Sequence, residues 1–107
     1  MDDLSHQEGG REMNFSEALE ELKKGKIITN RKWNGKGMYL WYVPPHRIDI
    51  KDYRCRGGPD DPTPREIDQG YVEILGHIDM MTADGKRLVG WLASQYDLQS
   101  DAWEVLE

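Results

Sequence analysis

Residues 31–43, reading RKWNGKGMYLWYV, set the aromatic rings of Trp33, Tyr39 and Trp41 and three cations (Arg31, Lys32, Lys36) around Gly35 and Gly37. Flat π-faces hold bases by stacking, and cations with free backbone N–H groups hold phosphates. This chemistry fits a ligand that is flat and anionic. Seven of the fourteen Lys and Arg residues fall between positions 23 and 47, a stretch without Asp or Glu, while the whole chain carries a formal charge of -6. A compact basic patch in an acidic body suits a small anion better than a nucleic-acid polymer, which needs extended basic surface. The plainer alternative is a solvated basic face.

Residue types for catalysis are sparse. The G-K-G of this segment lacks the GxxxxGKS/T spacing of a phosphate-binding loop, and three histidines and one cysteine offer no zinc spacing. His77 and Asp79 share one face of an expected strand, as a weak general-base pair or as a satisfied polar pair. Cys55 sits between Arg54 and Arg56 without a His partner to make it a nucleophile, and a lone cysteine forms no intrachain disulfide. The reading is a binding protein: no catalytic residue, no metal, no cofactor. With 107 residues, 32% of them charged, and a mean hydropathy of -0.81, the chain reads as one soluble domain without a membrane-spanning run. The N-terminus lacks signal-peptide character, so a cytoplasmic location is expected.

The elements that must position these side chains follow from pattern. Residues 1–12 are polar and aperiodic, and read as a mobile extension to a single domain over 13–107. Asn14 and Glu17 form a capping box, with Met13 stapling onto Ala18. Phe15, Ala18, Leu19 and Leu22 then make one apolar stripe, which predicts a helix over 15–24 closed by Gly25. Residues 26–29 and 38–43 read as a β-hairpin closed by a tight Asn34-Gly35 turn. Residues 44–70 hold all five prolines and read as an excursion from the sheet, with Ile48 and Ile50 on a short edge strand. Strands are expected at 71–75, at 77–82 and at 86–91, the last two joined by an Ala83-Asp84-Gly85 turn. Ser94 caps a short C-terminal helix, and Trp103, Val105 and Leu106 form a last strand or packed tail. The fold class is α+β: one N-terminal helix on a mostly antiparallel sheet of two hairpins.

Each tryptophan taken singly is better read as core than as site. Trp33 and Trp91 stand out because both lie at strand ends, where clefts form. Tyr39, Trp41 and Val43 share one face of their strand, and Met38, Leu40 and Tyr42 the other. The helix covers one of these faces, and the other is expected to meet another copy of the chain.

Three strings in order, MNFSEALEELKKGK, RKWNGKGMYLWYV and HIDMMTADGKRLVGWLASQYDLQSDAWEV, resemble the phage-encoded Thoeris anti-defence type-2 family. The resemblance runs from Met13 to Val105 apart from the 44–70 excursion; residues 1–12 and the Pro-rich character of that excursion depart from the family pattern. It implies a sponge, not an enzyme. Such proteins bind the cyclic ADP-ribose-type signal of bacterial TIR-domain proteins, in the cytoplasm of the infected host, and keep it from its effector. It also implies a homotetramer with pockets between protomers, and in some members a separate site for cyclic dinucleotides. Carried over by position, Trp33 and Trp91 form the stacking pair, and Asn34 meets phosphate or ribose. Tyr39 and Trp41 wall the pocket, Arg31 or Lys36 neutralises charge, and His77, Asp79, Thr82 and Asp97 are further polar contacts. An enzyme cleaving the same signal, or a protein-interaction module, are the competing readings.

Overall fold

A computed structural model describes residues 12–55 and 57–106; the expected mobile extension lies almost wholly outside the described residues. Helix α1 spans Phe15–Lys23, one residue short of the expected range, because Lys24 serves as its C-cap and Gly25 follows at φ 96°. The left-handed conformation needed there is one that glycine adopts without a Cβ penalty. Both arms of the N-terminal capping box form: Glu17 N–H donates to Asn14 Oδ1 at 2.9 Å, and Asn14 N–H donates to Glu17 Oε1 at 3.0 Å. Ala18 and Leu22 on the inner stripe are fully buried, and burying a leucine side chain contributes about 1.5–3 kcal/mol.

The chain forms two compact units: residues up to Val43 together with those from His77 onward, and Pro44–Gly76. In the first unit, strands β1 (Ile27–Asn30), β2 (Tyr39–Val43), β5 (His77–Met81), β6 (Arg87–Leu88) and β7 (Trp103–Leu106) make a sheet of order β6-β5-β2-β1-β7, antiparallel throughout. The architecture is the α+β class expected. Helix α1 covers the face bearing Ile28, Leu40, Met80 and Trp103, which form the core with Met13, Ala18 and Leu22. Met13 is locked in by a two-way backbone bridge to Trp103 (2.8 and 3.2 Å). The short helix α3 (Gln95–Gln99) is capped by Ser94 as expected, and β7 turns the possible packed tail into a paired edge strand.

The strand expected over 86–91 shortens to Arg87–Leu88, and Ile50 lies in a 3-10 turn (Ile50–Asp52) and not on the edge strand with Ile48; two further expectations need correcting. The first hairpin pairs as read, with Ile28 opposite Leu40, but Asn34-Gly35 is not its tight turn. A two-residue turn of that type needs positive φ at both positions, and within 31–38 only Gly37 has one (77°). The connection is instead a loop over 31–38, held by Thr29 Oγ1 donating to Met38 O at 2.7 Å and Trp33 N–H to Asn30 O at 3.2 Å. Second, Tyr71–Ile74 (β4) does not join the main sheet. It pairs with β3 (His46–Asp49) in a separate two-stranded sheet inside Pro44–Gly76. This second unit also contains helix α2 (Pro64–Gln69), which the prolines hid. Pro64 occupies its first turn, where the missing N–H costs nothing, and Thr63 and Glu66 close a full capping box.

Gly35 does its work through space, not through φ. A Cβ built on it would lie 2.6 Å from Met38 Sδ and 2.7 Å from Ala83 Cβ. The methionine can swing aside, but Ala83 is carried by the 82–86 turn and cannot. Gly35→Ala is expected to destabilise the fold by about 1–3 kcal/mol, as overpacking does, and an unchanged urea midpoint would contradict this close approach.

Candidate functional site

The loop over 31–38 brings Trp33 against the segment that follows β6 and against α3. Four rings meet there. Trp33 packs edge-to-face on Trp103 (centroids 5.3 Å, 85°) and on Trp91 (6.4 Å, 65°), and Trp91 packs on Trp103 (6.1 Å, 81°). Phe15 from α1 closes the group at 5.5 Å from Trp103 and 6.3 Å from Trp91. Trp103 is fully buried, whereas Trp33 and Trp91 are half-buried. The pair singled out from sequence is therefore brought together. Its rings are inclined at 65° to each other, so they do not form a parallel-sided slot.

Asp97 organises this group. Its Oδ1 accepts the Trp33 indole Nε1–H at 3.1 Å, and its main-chain carbonyl accepts the Trp103 indole Nε1–H at 3.0 Å. Its Oδ2 accepts the Ser94 N–H at 2.9 Å, capping α3. The Ser94-x-x-Asp97 spacing already advertised the cap; nothing in the sequence advertised the two indoles.

Tyr39 and Trp41 lie elsewhere. Leu40 and Tyr42 face the core under α1, so strand alternation sends Tyr39 and Trp41 to the opposite face. There the two rings sit 5.7 Å apart, and the Arg87 guanidinium lies 5.6 Å from the Trp41 centroid. Register sets Asp79 beside Trp41 and His77 beside Val43. His77 Nε2 is 3.5 Å from Asp79 Oδ1, but that same oxygen accepts the Gly90 N–H at 2.9 Å. Asp79 is thus buried and holds the chain after β6, which weakens its claim as a general base. Thr82 is likewise occupied: its hydroxyl bonds Asp84 and Lys86 across the turn, and the Thr82 bond holds the Asp84 carboxyl below the usual aspartate value.

The basic stretch is partly neutralised. Arg31 pairs with Glu12, Lys24 and Lys26 both pair with Glu21, and Arg47 pairs with Glu73. The Lys24 hydrogen bond is the main reason the Glu21 carboxyl sits below its ordinary value. Lys32 and Lys36 have no ion pair among the described residues, and Asn34 is exposed between them. Lys32 also lines a cleft of about 480 Å³ with Gln95, Tyr96, Gln99, Ser100 and Asp101. Sequence reading passed over Gln95, Tyr96 and Gln99. Their shared helical face follows from the Ser94 cap, which was the available signal. Among the described residues no group of three or more His, Cys, Asp or Glu could hold a metal ion. No helix there is long and apolar enough to cross a membrane.

The site's two halves thus have different characters. One is an indole cluster whose Trp33 shares a loop with Lys32 and Lys36, which have no ion pair among the described residues; the other is an aromatic pair on the far face of the sheet. Over 96 residues the chain is 26% identical to "Thoeris anti-defense 2" of Bacillus phage SP01, covering 88% of this chain and 94% of that protein. The profile of the Thoeris anti-defense 2-like domain matches residues 13–106, from the Met13 bridge through to the last strand. The chain belongs to the Thoeris anti-defense 2-like family.

Proposed function

We propose that this chain sequesters a cyclic ADP-ribose-type signal made by bacterial TIR-domain proteins, of the glycocyclic kind, and holds it unchanged so that it does not reach its effector. An anti-defence role is what the family supplies; the ligand and the manner of action are the proposal. The observation that carries it is the exposed part of Trp33 and Trp91 on the same side of the fold as a loop whose Lys32 and Lys36 lack ion pairs among the described residues. Indole faces take the adenine, and the two ammonium groups with the loop amides take the pyrophosphate. The inclined ring pair is consistent with a pocket completed by a second protomer, in a homotetramer acting in the host cytoplasm. The exposed Leu88, Val89 and Leu92 supply apolar surface for that contact. A second site for cyclic dinucleotides belongs to the same proposal.

The test is release. The protein is mixed with TIR-produced glycocyclic ADP-ribose, freed of unbound ligand, and heat-denatured. Intact ligand in the supernatant is the expected result. A hydrolysed product would replace sequestration with the enzyme reading, for which His77 and Asp79 are the acid–base candidates. No uptake at all would favour an interaction module.

A further inference from the structure

A carboxylate at the third position of a helix ordinarily does one thing, which is to close the first turn. Asp97 divides its acceptors three ways. Oδ2 takes the Ser94 N–H, Oδ1 takes the Trp33 indole N–H, and the main-chain carbonyl takes the Trp103 indole N–H. Both carboxylate oxygens therefore have donors within the chain. Trp33 stands on a loop, and among the described residues its own other hydrogen bond is from its N–H to Asn30 O at 3.2 Å. Its remaining restraints are edge-to-face contacts, which limit the ring's position better than its rotation. A hydrogen bond to an ionised acceptor is short, strong and directional. It selects which indole face is turned outward. The buried Trp103 ring, 5.3 Å from Trp33 and hung from the same residue, supplies the fixed wall against which that choice is made.

We infer that Asp97 is a positioning residue: it sets the plane of Trp33 for stacking on the ligand's base and does not itself touch the ligand. The inference rests on the sequestration reading above. It moves Asp97 from the group of polar ligand contacts to the support of the stacking ring.

The test is a double-mutant cycle read by calorimetry with TIR-produced glycocyclic ADP-ribose, together with NMR of the indole N–H resonances in the ligand-free protein. Asp97→Ala is expected to weaken binding about tenfold (about 1.4 kcal/mol). Asp97→Asn, whose amide oxygen still accepts the indole N–H, should recover most of that loss. Ser94→Ala weakens the same helix cap but leaves Oδ1 in place, and should change affinity far less than Asp97→Ala. In a Trp33→Phe background, where the ring stays and the N–H is gone, Asp97→Ala should add nothing. A full further loss in that background would mean that Asp97 meets the ligand directly, and an equal loss from Ser94→Ala would reduce its role to folding; either overturns the inference. If Asp97→Ala does not fold, Trp33→Phe alone makes the cut from the other side, since wild-type affinity there also overturns it. Should the unmodified protein take up no ligand, the sequestration reading fails, yet the NMR arm still decides. The Trp33 indole N–H is expected to shift and exchange faster in Asp97→Ala but not in Ser94→Ala, and an unmoved resonance in Asp97→Ala rejects the positioning role.

Discussion

Trp103→Ala is expected to remove about 3–5 kcal/mol of folding stability, a large share of the roughly 5–15 kcal/mol that a small domain holds in total. The indole is fully buried and touches the rings of Phe15, Trp33 and Trp91. Its N–H donates to the Asp97 carbonyl, and its backbone bridges Met13, ahead of α1. Truncation therefore opens a cavity beneath three aromatic rings and removes the shorter of the two hydrogen bonds that the Asp97 carbonyl accepts, leaving only that from Ser100 N–H at 3.3 Å among the described residues. The two neighbouring indoles lose the wall they lean on, so ligand uptake should fall with stability. Urea denaturation followed by far-ultraviolet circular dichroism is the appropriate measurement, because fluorescence would change with the ring count itself. A loss below about 1 kcal/mol would show that the cluster repacks around the gap, against the close packing of interiors.

Trp33→Ala should act mainly on binding. The ring is half-buried, so less folding energy depends on it than on Trp103. Removing one stacked aromatic costs about 1–3 kcal/mol in affinity, which is roughly fivefold to more than a hundredfold in Kd. A sponge works only while it outcompetes the effector for a shared ligand, so even the lower figure should abolish protection in an effector assay. Calorimetry on the folded variant gives the direct measure. Undiminished affinity would remove Trp33 from the site and turn attention to the cleft of Lys32, Gln95, Tyr96 and Gln99.

Local chemistry was readable wherever one short segment decides the outcome. The Asn14–Glu17 box, the Gly25 stop, the Ser94 cap and the turn after Met81 all depend on neighbours within five residues, and each formed. Pairing between distant segments was less legible. Alternation in YVEI specifies a strand but says nothing of its partner, and the pairing of β4 with β3 was not legible there. Asn34-Gly35 carries a strong local turn signal, but burial of Trp33 outweighs it: drawing that indole onto Trp103 needs more chain than a two-residue turn provides. For α2 the Thr63-x-x-Glu66 spacing was present in the sequence, masked by prolines that are harmless at a helix start. In the candidate site, Trp33 and Trp91 stood out by their places at strand ends, the resemblance joined them as a pair, and their rings do meet at 6.4 Å. The division of Tyr39 and Trp41 onto the other face depended on which face α1 covers, and a strand's own pattern cannot decide that when both faces are apolar.

The position of Pro44–Gly76 in the chain has a further consequence. Val43 and His77 are directly opposed in the β2–β5 ladder, so the segment leaves and re-enters the sheet at a single rung. With its ends already adjacent, its length adds little closure entropy to the rest of the fold, since that cost grows only logarithmically with loop size. The β2–β5 pair is in effect an ordinary hairpin whose turn has been exchanged for a folded module. Such a junction is permissive. It can lose, gain or trade its cargo while the five-stranded framework and the indole cluster keep their register, which leaves Pro44–Gly76 free to diversify independently of the ring cluster.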